Sequence, residues 1–107
     1  MLKDSREYEN KYNTVKIQIE YSKKYINSVI SNWFYPNSLK YIILKKILYS
    51  YQNDLSFLEG YLAYLDNQNI KNIEVYNLVE LSRIDLLYFE RSFNEIYTQT
   101  KINNCLC

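Results

Sequence analysis

Residues 39–65 read LKYIILKKILYSYQNDLSFLEGYLAYL, and this stretch decides the fold. Its apolar residues recur at alternating steps of three and four, a spacing typical of an α-helix packed lengthwise against another helix. They are Tyr41, Leu44, Leu48, Tyr51, Leu55, Leu58, Leu62 and Leu65. Since a helix turns about 100° per residue, a second apolar set lies beside this stripe: Ile43, Ile47, Phe57, Tyr61 and Tyr64. The apolar face is wide enough for two partners, which predicts a central helix.

Stripes with the same alternating steps lie on both sides of the central stretch. The earlier stripe contains Tyr8, Tyr12, Val15, Ile19, Ser22, Ile26, Val29 and Trp33. The later one contains Val75, Val79, Ser82, Leu86, Phe89, Phe93, Ile96 and Thr100, widened by Leu78, Leu81, Ile84 and Tyr88. Pro36 disfavours helical geometry at Tyr35, and residues 67–69 form a short polar segment. We therefore predict three long helices with breaks near residues 34–38 and 67–71.

These patterns predict an all-α protein: an elongated antiparallel (up-down-up) three-helix bundle with coiled-coil-like packing, forming one domain over residues 1–107. Asn37 or Ser38 is expected to cap the second helix. The single glycine, Gly60, is expected to mark the close approach of another backbone. Phe57 and Tyr64 lie outside the main stripe, so a homodimer that completes a larger bundle stays open as an alternative.

Composition excludes several classes of function. Thirteen basic and twelve acidic residues leave a net charge of +1, unlike a general polyanion binder. The absence of His and the single Gly exclude histidine-dependent catalysis and Gly-rich phosphate loops. Arg83 and Tyr88 are spaced like the Arg-x4-6-His element of HEPN-type nucleases, a resemblance that covers six residues and has Tyr in place of His. We expect no enzyme, no cofactor and no metal.

The compartment is predicted from the N-terminal residues and the cysteines. Residues 1–7 contain no apolar signal segment, and Lys45 and Lys46 interrupt the longest apolar run. Cys105 and Cys107 are one residue apart and poorly placed to bridge each other, which fits a reducing compartment. A terminal Cys-x-Cys is also similar to the prenylation signal of Rab-type GTPases, so lipidation stays open beside incidental thiols. We expect a cytoplasmic protein.

Basic and aromatic residues concentrate at the end of the bundle that carries the first loop. We call seven of them the basic aromatic tip: Trp33, Phe34, Tyr35, Lys40, Tyr41, Lys45 and Lys46. Lys23, Lys24 and Lys101 are expected nearby. Because a loop has few core positions to fill, at least one of the three consecutive aromatics is expected to be largely exposed. The opposite end is predicted to be mixed to acidic.

Small bundles with this composition work by binding, since aromatic residues are favoured at interaction surfaces. Our first hypothesis is a non-enzymatic interaction protein of the inhibitor, immunity, antidefence or accessory-subunit type, with another protein as its partner. The immunity proteins of small bacteriocins are similar in size and in helical-bundle architecture. The alternative is a small nucleic-acid-binding or ribosome-associated protein that uses the basic aromatic tip.

Overall fold

The computed structural model describes residues 5–105, with side chains described for residues 6–102. Three helices make up this part of the chain, and it contains no strand: α1 (Ser5–Ser31), α2 (Asn37–Asn67) and α3 (Ile73–Cys105). The described chain measures 57 × 23 × 18 Å along its principal axes. The elongated three-helix bundle predicted from the stripes is confirmed.

The central helix packs against both others, as its wide apolar face predicts. α1 and α3 each pack mainly against α2 and contact each other little. The buried core draws on all three helices: Tyr12, Val15, Ile19, Ile26, Val29, Leu44, Leu48, Tyr51, Leu55, Leu58, Tyr61, Leu65, Val75, Leu78, Val79 and Phe89. The predicted stripe of α2 therefore faces the core from Leu44 to Leu65, with Leu62 partly buried.

One face of α3 was assigned wrongly from the sequence. Leu81, Ile84 and Tyr88 were expected to widen its core face, yet each is more than half exposed. The physical reason is the weak contact between α1 and α3. A helix with one main partner buries a narrower stripe than a helix with two, so these side chains stay on the outer side of α3.

Phe57 and Tyr64 do not stay free for a second copy of the chain. Both pack against α1, where the ring centroids of Phe57 and Tyr64 lie 6.3 Å and 4.3 Å from that of Tyr8. The Tyr61 ring adds a stacked contact at 5.6 Å from Tyr8. This aromatic cluster closes one end of the bundle from within the chain.

A buried hydrogen bond joins α2 to α3 near mid-bundle. The hydroxyl of Tyr51 donates to the carbonyl oxygen of Ser82 at 2.8 Å, and both residues are fully buried. Ser82 occupies a stripe position where larger residues are usual. Its small side chain leaves room for the Tyr51 ring, so the hydroxyl is satisfied without leaving the core.

The two connections differ in how they end their helices. After α2, Asn69 adopts a left-handed conformation (φ 58°). The N–H of Ile70 donates to the carbonyl of Leu65 at 2.9 Å, and the N–H of Asn69 donates to the carbonyl of Asp66 at 3.0 Å. This is a Schellman motif. α3 then begins with a side-chain cap, because the Asn72 carbonyl Oδ1 accepts a hydrogen bond from the Val75 N–H at 3.1 Å.

The caps of the first connection differ from those predicted. Neither Asn37 nor Ser38 caps α2; the N-cap is Pro36, in extended geometry and without a side-chain bond. Its carbonyl accepts from the N–H groups of Leu39 and Lys40, both at 3.0 Å. Proline suits this position because its φ is already fixed near the required value.

Gly60 marks no close approach of another backbone, contrary to expectation. It is exposed and helical, and a Cβ built on it meets no atom of another residue within 4 Å apart from its immediate helical surroundings. Gly60 therefore lowers the stability of α2 relative to alanine by the amount usual for a glycine inside a helix.

We expect Gly60→Ala to stabilise the protein by about 0.5 to 1 kcal/mol, because alanine restricts the unfolded chain and meets no obstacle. Urea unfolding followed by circular dichroism measures the change. Ala63→Gly, at a neighbouring exposed position, is the matched control and should cost a similar amount. A destabilised Gly60→Ala protein would contradict the open surface seen here.

Candidate interaction surface at the basic aromatic tip

The first loop holds two aromatic side chains out in solvent. α1 ends at Ser31, three residues before the predicted break at residues 34–38, because Asn32 forms a turn. Its side-chain Oδ1 accepts from the Phe34 N–H at 3.0 Å, and its carbonyl accepts from the Tyr35 N–H at 3.2 Å. Trp33 is therefore exposed. Its place in the first stripe predicted a position in the core, and that prediction is wrong.

Trp33 and Phe34 form one exposed aromatic pair. Their side chains are 80% and 75% exposed, and their rings stack with centroids 4.0 Å apart at an angle of 26°. Tyr35 is just over one third exposed. The expectation that at least one of the three aromatics is largely exposed is confirmed. Each ring of the pair holds the other in place, so the surface is partly ordered before any partner arrives.

Lys40 has a structural contact inside the basic aromatic tip. Its ammonium nitrogen donates to the carbonyl oxygen of Ile30 at 2.8 Å, in a partly buried position. The last carbonyls of a helix lack internal partners, and a lysine there satisfies one and opposes the negative end of the helix dipole. Lys40 thus ties the start of α2 to the end of α1.

Tyr41 belongs to an aromatic ladder between α2 and α3, formed by Tyr41, Phe93 and Tyr97. The Tyr41 ring centroid lies 5.3 Å from that of Phe93 and 5.4 Å from that of Tyr97. Lysines lie over two of the three rings: Lys45 Nζ is 5.8 Å from the Tyr41 centroid, and Lys101 Nζ is 5.9 Å from that of Tyr97. These distances are within the range of cation–π attraction.

Sequence reasoning placed Phe93 only in the core stripe and missed Tyr97. The signal that would have found the ladder is the spacing of Phe93, Tyr97 and Lys101 at steps of four, which places them along one side of α3. Their partner Tyr41 lies far away in the sequence, so the contact itself needed the tertiary structure.

The lysines of α2 do not form one compact patch. At 100° per residue, positions 40, 45 and 46 point to three different sides of the helix. Lys46 is exposed, and among the described residues no carboxylate lies within 4.0 Å of it. Lys23, expected near this end, instead lies in ion pairs 3.2 Å from Asp85 and 3.7 Å from Glu20.

The charge of this end nevertheless keeps one sign over a long stretch. Residues 21–53 contain five lysines and no Asp or Glu. They cover the second half of α1, the first loop and the first half of α2. Lys24 and Lys46 are exposed within this stretch. A negatively charged partner therefore meets no carboxylate from this stretch, although α3 places Glu90 in a groove with Lys45 and Asp85 beside Lys23.

Arg83 forms one ion pair that joins α3 to α2 and a second within α3. Its Nε is 2.7 Å from a Glu59 carboxylate oxygen, and its Nη1 is 2.7 Å from one of Glu80. Tyr88, the other residue of the nuclease-like spacing, is more than half exposed on the outer side of α3. Cys105 ends α3, while Cys107 lies outside the described residues.

No protein-family model, curated protein or solved structure matches this chain. Within the part of the chain that the structure describes, no three His, Cys, Asp or Glu residues are grouped to hold a metal ion. None of the described helices has an apolar stretch long enough to cross a membrane.

Proposed function

We propose that this protein is a non-enzymatic interaction module that binds another protein through the basic aromatic tip. The observation that carries the proposal is the stacked Trp33–Phe34 pair, at least three quarters exposed at one end of the bundle. Aromatic side chains of this size are anchors of protein interfaces and gain most when a partner covers them. Inhibitors, immunity or antidefence proteins and accessory subunits work in this way.

The local geometry favours a binding surface that is ordered before the partner binds. The Asn32 turn fixes the backbone of the loop, and stacking fixes the two rings. Ordering a side chain on binding costs about 0.5 to 1.5 kcal/mol. A surface that is ordered beforehand avoids part of this cost, so the pair provides apolar contact area at low entropic expense.

The charge around the pair supports a partner with an acidic surface. The stretch without carboxylates adds lysines from two helices, and Lys45 and Lys101 flank the aromatic ladder. Such charges steer association and select against basic surfaces. Because Lys40 is held by the Ile30 carbonyl, Lys45 and Lys46 are the lysines of α2 available to a partner. The two closely spaced cysteines support a place in the reducing cytoplasm.

Binding of single-stranded nucleic acid is the alternative that one observation favours. An exposed ring beside lysines is also a stacking platform for a base. Trp33 is the only tryptophan of the chain, so its fluorescence reports directly on either ligand. Strong quenching by an oligothymidine, lost steeply as salt rises, would favour the alternative over a protein partner.

We expect Trp33→Ser to weaken capture of the partner by about thirtyfold, the effect of losing an interface anchor. The assay is affinity capture from the native host with mass spectrometry of the proteins retained, followed by titration of the purified partner. Ile17→Ser is the matched control, because Ile17 is 71% exposed on α1 away from the loop. Capture that survives Trp33→Ser would place the contact elsewhere.

The lysines are tested separately from the structural Lys40. We expect Lys45→Ser with Lys46→Ser to reduce capture by about fivefold and mainly through slower association. Lys11→Ser with Lys71→Ser removes the same charge from the opposite half of the bundle and should leave capture unchanged. An equal loss in both double variants would mean that net charge alone drives the interaction.

A further inference from the structure

The outer side of α3 carries an apolar face that no part of the described chain covers. Ile84 is 61% exposed and Leu87 is 70% exposed at its centre. The exposed apolar residues of this side are Ile73, Tyr76, Leu81, Ile84, Leu87 and Tyr88. This face lies opposite the buried stripe of α3, and on one side Leu87 borders a groove that α3 forms with Leu55 and Glu59 of α2. Several exposed apolar side chains on one side of a helix make a candidate contact surface.

One line of residues along this face is the candidate seam for packing a second helix. Six residues follow at steps of three, four, three, four and three: Asn77, Glu80, Ile84, Leu87, Arg91 and Asn94. Alternating steps of three and four keep these six residues on one side of α3, as in the 3.5-residue repeat of paired helices. The two central residues are apolar, and the four outer ones are polar or charged.

The six residues of this seam are arranged symmetrically about the point midway between residues 85 and 86. Ile84 mirrors Leu87, and Asn77 mirrors Asn94. Glu80 mirrors Arg91, so the symmetry pairs opposite charges. A sequence with this property is complementary to itself when a second copy lies antiparallel.

We propose that the outer face of α3 binds the same face of a second copy of this chain, with the two α3 helices antiparallel. In that arrangement Ile84 packs on Leu87 of the second copy, and Glu80 meets its Arg91 on both sides of the two-fold axis. A parallel in-register pair would set Glu80 against Glu80 and Arg91 against Arg91. Charge complementarity thus selects one orientation, as flanking charges do in coiled coils.

The charged groups are available for these contacts. Among the described residues no carboxylate lies within 4.0 Å of Arg91. Glu80 already accepts from Arg83 through Oε1, but a carboxylate accepts several hydrogen bonds and has a second oxygen. Asn77 and Asn94 are exposed, and polar residues at a helix seam fix its register.

The size of the seam predicts a weak dimer. Residues 77–94 span about 26 Å at 1.5 Å per residue. One helix face of this length lies at the low end of specific interfaces, which corresponds to a dissociation constant on the order of micromolar. The interface is separate from the basic aromatic tip, so the inference does not depend on the proposed function.

The arrangement has a consequence for binding. Tyr97 of the aromatic ladder lies about 17 Å along α3 from the symmetry axis, so the two ladders of a dimer are roughly 35 Å apart at opposite ends. The two basic aromatic tips then face away from each other. A dimer of this kind can bind two partner molecules, one at each basic aromatic tip. Both tips cannot contact the same flat surface.

Sedimentation equilibrium over micromolar to submillimolar concentrations tests the proposal. The wild-type chain should move from one to two copies of its 13.0 kDa mass. Ile84→Glu, and independently Leu87→Glu, should abolish the dimer, while Ile17→Glu on the exposed side of α1 should not. Circular dichroism confirms that each variant keeps its helices, which is expected because all three positions are exposed.

The orientation is tested by a charge exchange. Arg91→Glu should weaken the dimer by about tenfold, and adding Glu80→Arg should restore it, because the two charge pairs re-form with opposite polarity. A wild-type chain that stays monomeric throughout the range would overturn the proposal. So would a dimer that resists Ile84→Glu and Leu87→Glu, or a double charge variant no tighter than Arg91→Glu alone.

Discussion

Replacing Leu58 by alanine is expected to lower the free energy of unfolding by about 2 to 5 kcal/mol. Leu58 is fully buried on the central helix, within the core shared by all three helices. The change removes three carbon atoms from a site that cannot collapse freely, so the cost combines lost apolar burial with the cavity left behind. Leu55→Ala should behave alike, because Leu55 is also buried.

The comparison with a surface change makes this prediction specific. Lys46→Ala, on the exposed side of the same helix, should change the free energy of unfolding by less than about 0.5 kcal/mol. Urea melts of the three variants give the values. A domain of this size has a stability of about 5 to 15 kcal/mol, so either leucine variant removes a large part of it. A Lys46→Ala protein less stable than Leu58→Ala would mean that α2 presents another face to the core.

Alkaline pH is expected to unfold this protein through its buried tyrosines. Burial, with the nearby Glu74 carboxylate adding to it, raises the pKa of Tyr12 to about 12. Burial also raises the pKa of Tyr51 and of Tyr61. An unfolded tyrosine titrates near pH 10. Between about pH 10 and pH 12 the unfolded chain therefore releases protons that the folded chain keeps.

The direction of the effect follows from linkage. Below pH 10 both states hold these protons, and stability does not depend on them. Above pH 10 the folded state binds more protons than the unfolded state, so the free energy of unfolding falls as pH rises, by at most about 1.4 kcal/mol per pH unit for each such tyrosine. The loss ends for Tyr12 near its folded pKa of about 12.

Urea melts at a series of pH values from neutral to strongly alkaline measure this slope. Tyr12→Phe should make it shallower by up to about 1.4 kcal/mol per pH unit above pH 10, because the ring stays and the titrating hydroxyl is removed. If the free energy of unfolding falls equally steeply with pH in Tyr12→Phe and in the wild type, the Tyr12 hydroxyl is not buried in the folded state.

The candidate site was predictable in part. The exposure of Trp33 or Phe34 follows from local rules, since a proline three residues on stops the helix and a loop has no core to fill. The distinct roles of the three lysines do not follow from the sequence. Lys40 meets the Ile30 carbonyl, and Lys45 lies over the Tyr41 ring. These contacts depend on how the helix ends and the aromatic ladder come together in space.

By itself, the sequence determined that this chain forms three helices and which stripe of each faces the core, because a helical period and one proline are local signals. Only the tertiary structure decided how wide each buried stripe is. α2 lies between two neighbours and buries a broad face, whereas α3 packs mainly on one and leaves Ile84 and Leu87 exposed. Apolar periodicity shows that a residue is able to be buried. Whether it is buried depends on how many helices pack against its own helix. The spacing of apolar residues along the chain does not predict that number.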